Sequence, residues 1–362
     1  MANYHLQNWN GFNMHEEFCR RIVAAANSGK PINIVGGSSK SFLGRSVAGD
    51  DLHTAGYTGL VHYDPAELVI TVKAGSRLKE VEEVLSASGQ MLPFEPPIYS
   101  DRSTIGGVVA AGLSGPARSW RGSVRDYVLG IKCINGKGQV LQFGGQVIKN
   151  VAGYDASRLL TGSMGTLALI LEVSFKVLPK PETESTVVLE MSESRAITYL
   201  SELGLRPLPL SASCYLDDRL YLRFSGSQVG VAAAIEQIDG DIFDDQEFWQ
   251  QIRNQKLDFF NTSNNTLWRL SVPPAASPWG LAGNMLIEWG GALRWLKSDL
   301  PTQVIRDAAV SAGGSAMQFR NGDRQEEIYH PLEDVVFRLN KNLKNSFDPD
   351  GVFNPGRMYA GI

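Results

Sequence analysis

Thr104-Ile-Gly-Gly-Val-Val-Ala-Ala-Gly-Leu-Ser-Gly-Pro116 is the stretch on which the reading of this chain turns. Thr104 is placed to cap a short helix of small apolar residues, and Gly106 and Gly107 leave the amides of its first turn uncovered by side chains. Bare amides at a helix start, with the helix dipole behind them, favour an anion. A second such place lies upstream, where the apolar run 32–35 ends in Gly36-Gly37-Ser38-Ser39-Lys40. That order predicts a strand running into a glycine-serine loop, with a lysine at hand for phosphate charge. Two loops of this kind suit a diphosphate better than a single phosphate. Neither spells GxGxxG or GxxxxGK followed by Ser or Thr, which disfavours the Rossmann and P-loop readings.

Composition narrows the classes. The chain has 362 residues, 43% hydrophobic and 20% charged, as in a soluble globular protein with room for one large or two moderate domains. A formal charge of −4 leaves no footprint for nucleic acid, and no basic run suggests an anionic membrane surface. No apolar stretch reaches the length of a membrane span, and the polar N-terminal run does not read as a signal peptide. Cys19, Cys133 and Cys214 are too far apart for a disulfide framework, a zinc site or an iron–sulfur site. A cytoplasmic chain is expected.

Along the chain, residues 16–28 read as an amphipathic helix, and 60–63 and 68–72 as strands about an Asp64-Pro65 turn. Ser76 is placed to cap a helix ending at Gly89. Residues 128–134 and 139–143 form a hairpin, for which Asn135-Gly136 is expected to supply positive φ. A helix over 154–160 and a buried strand over 167–177 follow, and Pro179-Lys-Pro181 marks a boundary. From there to about 325 the order strand, helix, hairpin, helix predicts a ferredoxin-like cap on an antiparallel sheet. That region includes a polar, aromatic helix over 246–260 and carries no convincing internal repeat. Trp268, Trp279, Trp289 and Trp295 read as cap core or partner surface. Pro331 is placed to open a tail helix with Leu332, Val335, Val336, Leu339 and Leu343 on one face. Arg125 and Asp126 read as a structural ion pair.

The segments GGSSKSFLG (36–44), STIGGVVAAGLSGP (103–116), 121–145, 148–173 and FDPDGVFNPGR (347–357) together resemble flavoproteins of the vanillyl-alcohol-oxidase (PCMH) type. Within these, the chain is similar to the FAD-binding subunits of bacterial glycolate oxidase (glycolate dehydrogenase) complexes. The resemblance implies an α+β fold, with a two-subdomain PCMH-type FAD-binding domain over 1–181, a ferredoxin-like antiparallel cap over 182–325, and a returning tail over 326–362. It implies FAD, with the backbone of Gly36, Gly37, Ser38 and Ser39 on the diphosphate and Lys40 as a charge partner. Thr104, Ile105, Gly106 and Gly107 would meet the diphosphate or the ring edge through amides, and Gly112, Ser114 and Gly115 would continue that wall. Gly165, Thr166 and Ile170 match a further contact with the buried cofactor, and Asn354 and Arg357 are candidates from the tail. Many such proteins tether FAD through a histidine beside the first glycine loop. Ser38 stands there, and His5, His15, His53, His62 and His330 lie elsewhere, so non-covalent FAD is expected.

The implied partners are a catalytic FAD subunit and an iron–sulfur subunit, with glycolate oxidised to glyoxylate and electrons leaving to a quinone or another acceptor rather than to NAD. Peripheral association with the inner membrane through that complex follows. The 2-hydroxy-acid-oxidising relatives carry paired histidines in the cap, whereas residues 180–325 contain none. Oxidising a C–H beside a hydroxyl needs a group to accept the hydroxyl proton. Asp217, Asp218 and Tyr215 are open choices, and the catalytic residues are unassigned. The reading is therefore an FAD relay or structural subunit. A self-sufficient FAD-dependent glycolate or D-lactate dehydrogenase is one alternative, and a non-catalytic scaffold another.

Overall fold

The computed structural model describes residues 11–145, 156–245, 247–261 and 264–362. His5, the helix start expected at Tyr154 and the one expected at Gln246 lie outside them. The first part is a five-stranded antiparallel sheet, ordered Leu60–Asp64, Val69–Lys73, Leu169–Lys176, Val128–Ile134, Val140–Gly144. Helices Leu78–Ala87 and Ile105–Ala111 bury Leu78, Val81, Leu85, Ile105, Val108 and Val109 against it. A smaller subdomain pairs Ile32–Val35 in parallel with Asp50–His53, beneath helix Gly11–Ser28. The tail joins it, since Ile32 pairs with Phe353 and the Ile32 amide donates to Val352 O at 2.7 Å. The loop after Val35 thus lies between the two subdomains.

The cap is an eight-stranded antiparallel sheet. Thr183–Glu190, helix Glu193–Leu203, Leu210–Leu216, Arg219–Gly226, helix Gln228–Ile235 and Asp241–Ile242 give a ferredoxin-like unit, its strands ordered fourth, first, third, second. Thr266–Ser271, Asn284–Glu288, Leu293–Ser298, helix Thr302–Ser311 and Ser315–Arg320 repeat that order, with the loop 272–283 where a first helix would stand. The two units meet through Cys214↔Glu288 and Tyr215↔Ile287. The repeat is silent in the sequence because only the alternation of apolar residues has to recur, and one helix is missing. One sheet face carries the helices, with Ile197, Tyr215 and Leu222 beneath them. The other, with Leu286, Trp295 and Phe319, packs on Phe42, Leu43, Tyr99 and Leu113 of the first part. Trp268, Trp289 and Trp295 are core, as expected.

Several local expectations change. Ser76 does not cap the helix: Arg77 holds that position, while the Ser76 hydroxyl accepts from the Gly59 amide at 3.0 Å. In the hairpin the positive φ falls on Gly138, because Asn135 Oδ1 accepts from the amides of Lys137 and Gln139 and organises the turn by side chain. Asp126 does not pair with Arg125; its carboxylate accepts from the amide and hydroxyl of Ser123 in a capping box. The helix expected to run to 260 breaks at Gln255 (φ 52°) into Phe248–Asn254 and Asp258–Asn261. The tail helix is Asp334–Phe347, so Pro331 precedes it. Its expected apolar face is only partly used: Leu343 packs inward, whereas Leu339 is 61% exposed.

Candidate functional site

The loop after Ile32–Val35 opens a cleft of about 250 Å³, lined by Gly36, Gly37, Ser38, Ser39, Lys40, Thr104, Gly107, Asn354 and Arg357. An adjoining recess of about 80 Å³ adds Gly106, Gly165 and Ile170. Gly37 is confined to glycine by close approach: a Cβ there would lie 1.5 Å from Arg102 O. Gly107 is the reverse case, since a Cβ would touch only Thr104 Oγ1, at 3.2 Å, and the rest is open cleft.

The helix start is less available than the sequence implies. Thr104 does cap, its hydroxyl accepting from the Gly107 amide at 3.3 Å. The amides of Ile105 and Gly106, however, are spent on Ser76 O (2.9 Å) and Ala74 O (2.7 Å), because the preceding segment runs alongside the helix start. The amides of residues 36–40 have no hydrogen-bond partner among the described residues, so the capacity for an anion lies on that loop.

Lys40 adds charge to it. The side chain is 8% exposed and Nζ is buried without a hydrogen bond. Burial alone pushes its pKa down to about 8. A buried ammonium with no partner costs stability unless a ligand supplies one. Lys344 shows the ordinary case, its Nζ donating to Thr166 O, Asp348 Oδ2 and Phe353 O at 2.6–2.8 Å. The orphaned ammonium, the unpartnered amides and the open wall at Gly107 fit a diphosphate such as that of FAD.

Other expected residues are placed differently. Ile105 is core. Thr166 is satisfied internally, its hydroxyl donating to Ser163 O at 2.8 Å. Asn354 lines the cleft with both ends of its amide taken, Oδ1 by the Ile34 amide and Nδ2 by Met164 O, each at 2.8 Å. It therefore ties the tail to both loops. Arg357 stays at the cleft edge, its pKa lowered to about 10 by burial and by Arg324. Gly112 is the left-handed end of the helix, packed on Gly162.

Ser114 and Gly115 face a different space, a chamber of about 20 Å³ between the first part and the cap, shared with Tyr99, Arg269, Glu288 and Trp289. Trp289 enters it with φ 56° from the cap; its Nε1 donates to Gly115 O at 3.0 Å, and its ring lies beneath Arg118 (4.5 Å) and Arg269 (5.1 Å). Burial pushes the Glu288 carboxyl up to about 7, against the opposing pull of Trp295 Nε1 (2.7 Å from Oε2) and of Arg269. Burial also pushes Arg269 down to about 10 and the Tyr99 phenol up. Sequence reasoning passed over these residues. The available signal was a charge inside an otherwise apolar strand, as in LWRLS (267–271) and MLIEW (285–289). Asp217, Asp218 and Tyr215 are not here: the two aspartates form the hairpin turn of the first cap unit, and Tyr215 lies on the strand before it, its hydroxyl donating to Asp218 and its ring packing under the cap helices.

The model of a family described as an FAD binding domain matches residues 13–144. Glycolate oxidase subunit GlcD of Bacillus subtilis (strain 168) is 34% identical over 36% of this chain and 27% of its own. A D-lactate dehydrogenase of Archaeoglobus fulgidus is 29% identical over 79% and 76%. Among solved structures, p-cresol methylhydroxylase superposes with a TM-score of 0.72 over 95% of this chain and 87% of that one, at 14% identity. Alkyldihydroxyacetonephosphate synthase gives 0.66 over 94% and 74%, at 15% identity. At such identities these two show the fold alone. No helix among the described residues is long and apolar enough to cross a membrane. Glycolate oxidase subunit GlcE of Escherichia coli (strain K12) is 48% identical over 94% of this chain and 96% of its own, and the chain belongs to that family of FAD-dependent oxidoreductase subunits.

Proposed function

We propose that this chain carries FAD non-covalently as a subunit of a glycolate-oxidising complex, beside a catalytic FAD subunit and an iron–sulfur subunit. The single observation that carries the cofactor assignment is the buried Lys40 ammonium, unpartnered beside the free amides of residues 36–40. In this reading those amides and Lys40 hold the diphosphate, Gly107 leaves it room, and Asn354 fixes the tail across the cleft. The recess at Gly165 and Ile170 takes a further part of the cofactor, and Ser114 and Gly115 form the wall toward the cap. When bound, FAD supplies a two-electron acceptor, and the chain orients it and shields it from water. None of the described histidines lines the cleft, which supports non-covalent attachment. The complex would oxidise glycolate to glyoxylate, this chain's FAD serving as relay, in the cytoplasm or peripherally at the inner membrane. The functional divisions are taken at 1–181, 182–325 and 326–362.

A second reading, in which this chain oxidises a 2-hydroxy acid itself, is favoured by one observation, the Arg269–Glu288 chamber. The first reading is tested by purification. The chain is expected to be yellow, to release its flavin on denaturation, and to copurify with two other subunits when expressed with them. Gly107→Asp should be folded and colourless, because a carboxylate would enter the cleft against the diphosphate. A yellow Gly107→Asp protein would overturn the cleft assignment.

A further inference from the structure

The loop 163–166 forms a wall between the cleft and its recess, and its backbone is held in a strained shape. Met164 (φ 52°) and Gly165 (φ 71°) are successive left-handed residues. Met164 lines both spaces and Gly165 lines the recess. A residue with a Cβ is strained in that conformation, which persists only where the surroundings fix it. Here the tail fixes it, through the carbonyls of the residues on either side of Gly165. Asn354 Nδ2 donates to Met164 O at 2.8 Å, and Lys344 Nζ donates to Thr166 O at 2.6 Å. The tail also comes so close that a Cβ on Gly165 would lie 2.8 Å from Asn354 Nδ2.

Lys344 reaches its carbonyl from a place where a charge is costly. It is 5% exposed, and Asp348, one turn further along, is 1% exposed. The ammonium also donates to Asp348 Oδ2 (2.7 Å) and Phe353 O (2.8 Å). The carboxylate in turn accepts from the amides of Val352 (2.9 Å) and Phe353 (2.7 Å). A buried pair of this kind adds little net stability over apolar residues of the same volume, because desolvation offsets the attraction. What apolar residues could not do is grip a loop carbonyl with a charge-assisted bond. Neither Lys344 nor Asp348 lines the cleft or the recess, so any effect on a ligand there passes through the loop.

We propose that Lys344 and Asp348 are positioning residues, a clasp by which the tail holds the Met164–Gly165 wall in the shape that accepts FAD. The proposal rests on the FAD reading above and adds a coupling to it. If the docked tail raises FAD affinity by some factor, bound FAD must stabilise the docked tail by the same factor. The flavin-free chain therefore has the looser tail.

The test uses the full chain, freed of flavin, with FAD as the probe. Adding FAD to the wild type should slow hydrogen exchange at the amides of Val352, Phe353 and Asn354 at least tenfold. Lys344→Met combined with Asp348→Asn removes both charges and leaves neither unpaired. That double variant should bind FAD at least tenfold more weakly, change the visible circular dichroism of the bound flavin, and lose the slowing of exchange. Leu343→Ala, a core truncation on the same helix, should lower stability yet keep the wild-type affinity and spectrum. A folded double variant that binds FAD within twofold of the wild type, with an unchanged spectrum, reduces the pair to a structural role and overturns the proposal. Tail exchange that ignores FAD in the wild type overturns it as well, and that measurement needs no variant to fold. A wild-type chain that takes up no FAD overturns the FAD reading itself, and this proposal with it.

Discussion

The cleft at residues 36–40 and the chamber at Arg269 and Glu288 are built on opposite plans. The cleft is made of backbone: adjacent amides from one loop, a close approach at Gly37, and one lysine on the same loop. The chamber is made of side chains from segments that never adjoin in sequence, namely Tyr99, Arg269 and Glu288. A backbone site has to be spelled by neighbours, so substitutions that only trim side chains should spare it. A side-chain site is assembled by topology, so it depends on how the cap is held to the first part.

That dependence gives the largest expected effect. Arg223 of the cap sheet is buried, and Glu95 Oε1 accepts from its Nη2 at 2.7 Å across the two parts, while Glu95 Oε2 accepts from the Ala117 amide at 3.0 Å. Glu95→Ala leaves the guanidinium buried without its main partner. The expected loss is about 3 kcal/mol of stability, read by denaturant titration. If stability is unchanged, the chamber is not held by this bond.

The next effect belongs to the cleft and has two signs. Lys40→Met should weaken FAD binding by about 1.5–3 kcal/mol, the range for hydrogen bonds to charged groups, measured by titrating flavin-free protein. The same change should raise the stability of the flavin-free chain, because it removes a buried unpaired charge. The sign with pH follows from the lowered pKa of about 8, against about 10.4 in an unfolded chain. Between these values the unfolded state binds more protons than the folded one, so the stability of the flavin-free chain rises with pH through that window. Lys40→Met should abolish the rise. A Lys40→Met protein that binds FAD as the wild type does would place the diphosphate elsewhere.

The smallest effect is the sharpest on the backbone plan. The Ser39 hydroxyl accepts from Ser103 Oγ at 3.0 Å, and the amides do the rest. Ser39→Ala should cost about 1 kcal/mol of stability or less and leave the protein yellow. Loss of colour would mean that side chains, not amides, hold the cofactor.

The same contrast explains what could be read from the sequence. The strand ending at Val35, the glycine loop, the Thr104 cap and the ferredoxin-like order all come from local periodicity and turn chemistry, and they stand. The reading failed where a group's partner is remote. Nothing near Ile105 and Gly106 shows that their amides are taken by Ser76 O and Ala74 O. Lys40 looks like a surface residue until the fold buries it beside Tyr99, and Lys344 looks like one until Thr166, Asp348 and Phe353 surround it. Arg269 and Glu288 lie in runs that read as ordinary strands, and they come together only because Leu293–Ser298 pairs between their two strands.

The join between the two cap units is narrow. Two residue pairs connect the halves of the cap sheet, against eight between Thr183–Glu190 and Arg219–Gly226. A short ladder has few bonds to open, so amide exchange should begin along this seam, where only packing shared by both halves, as between Cys214 and Leu286, opposes it. Glu288 is one of the joining residues. A slight shear along this join would therefore change the surroundings of the buried acid.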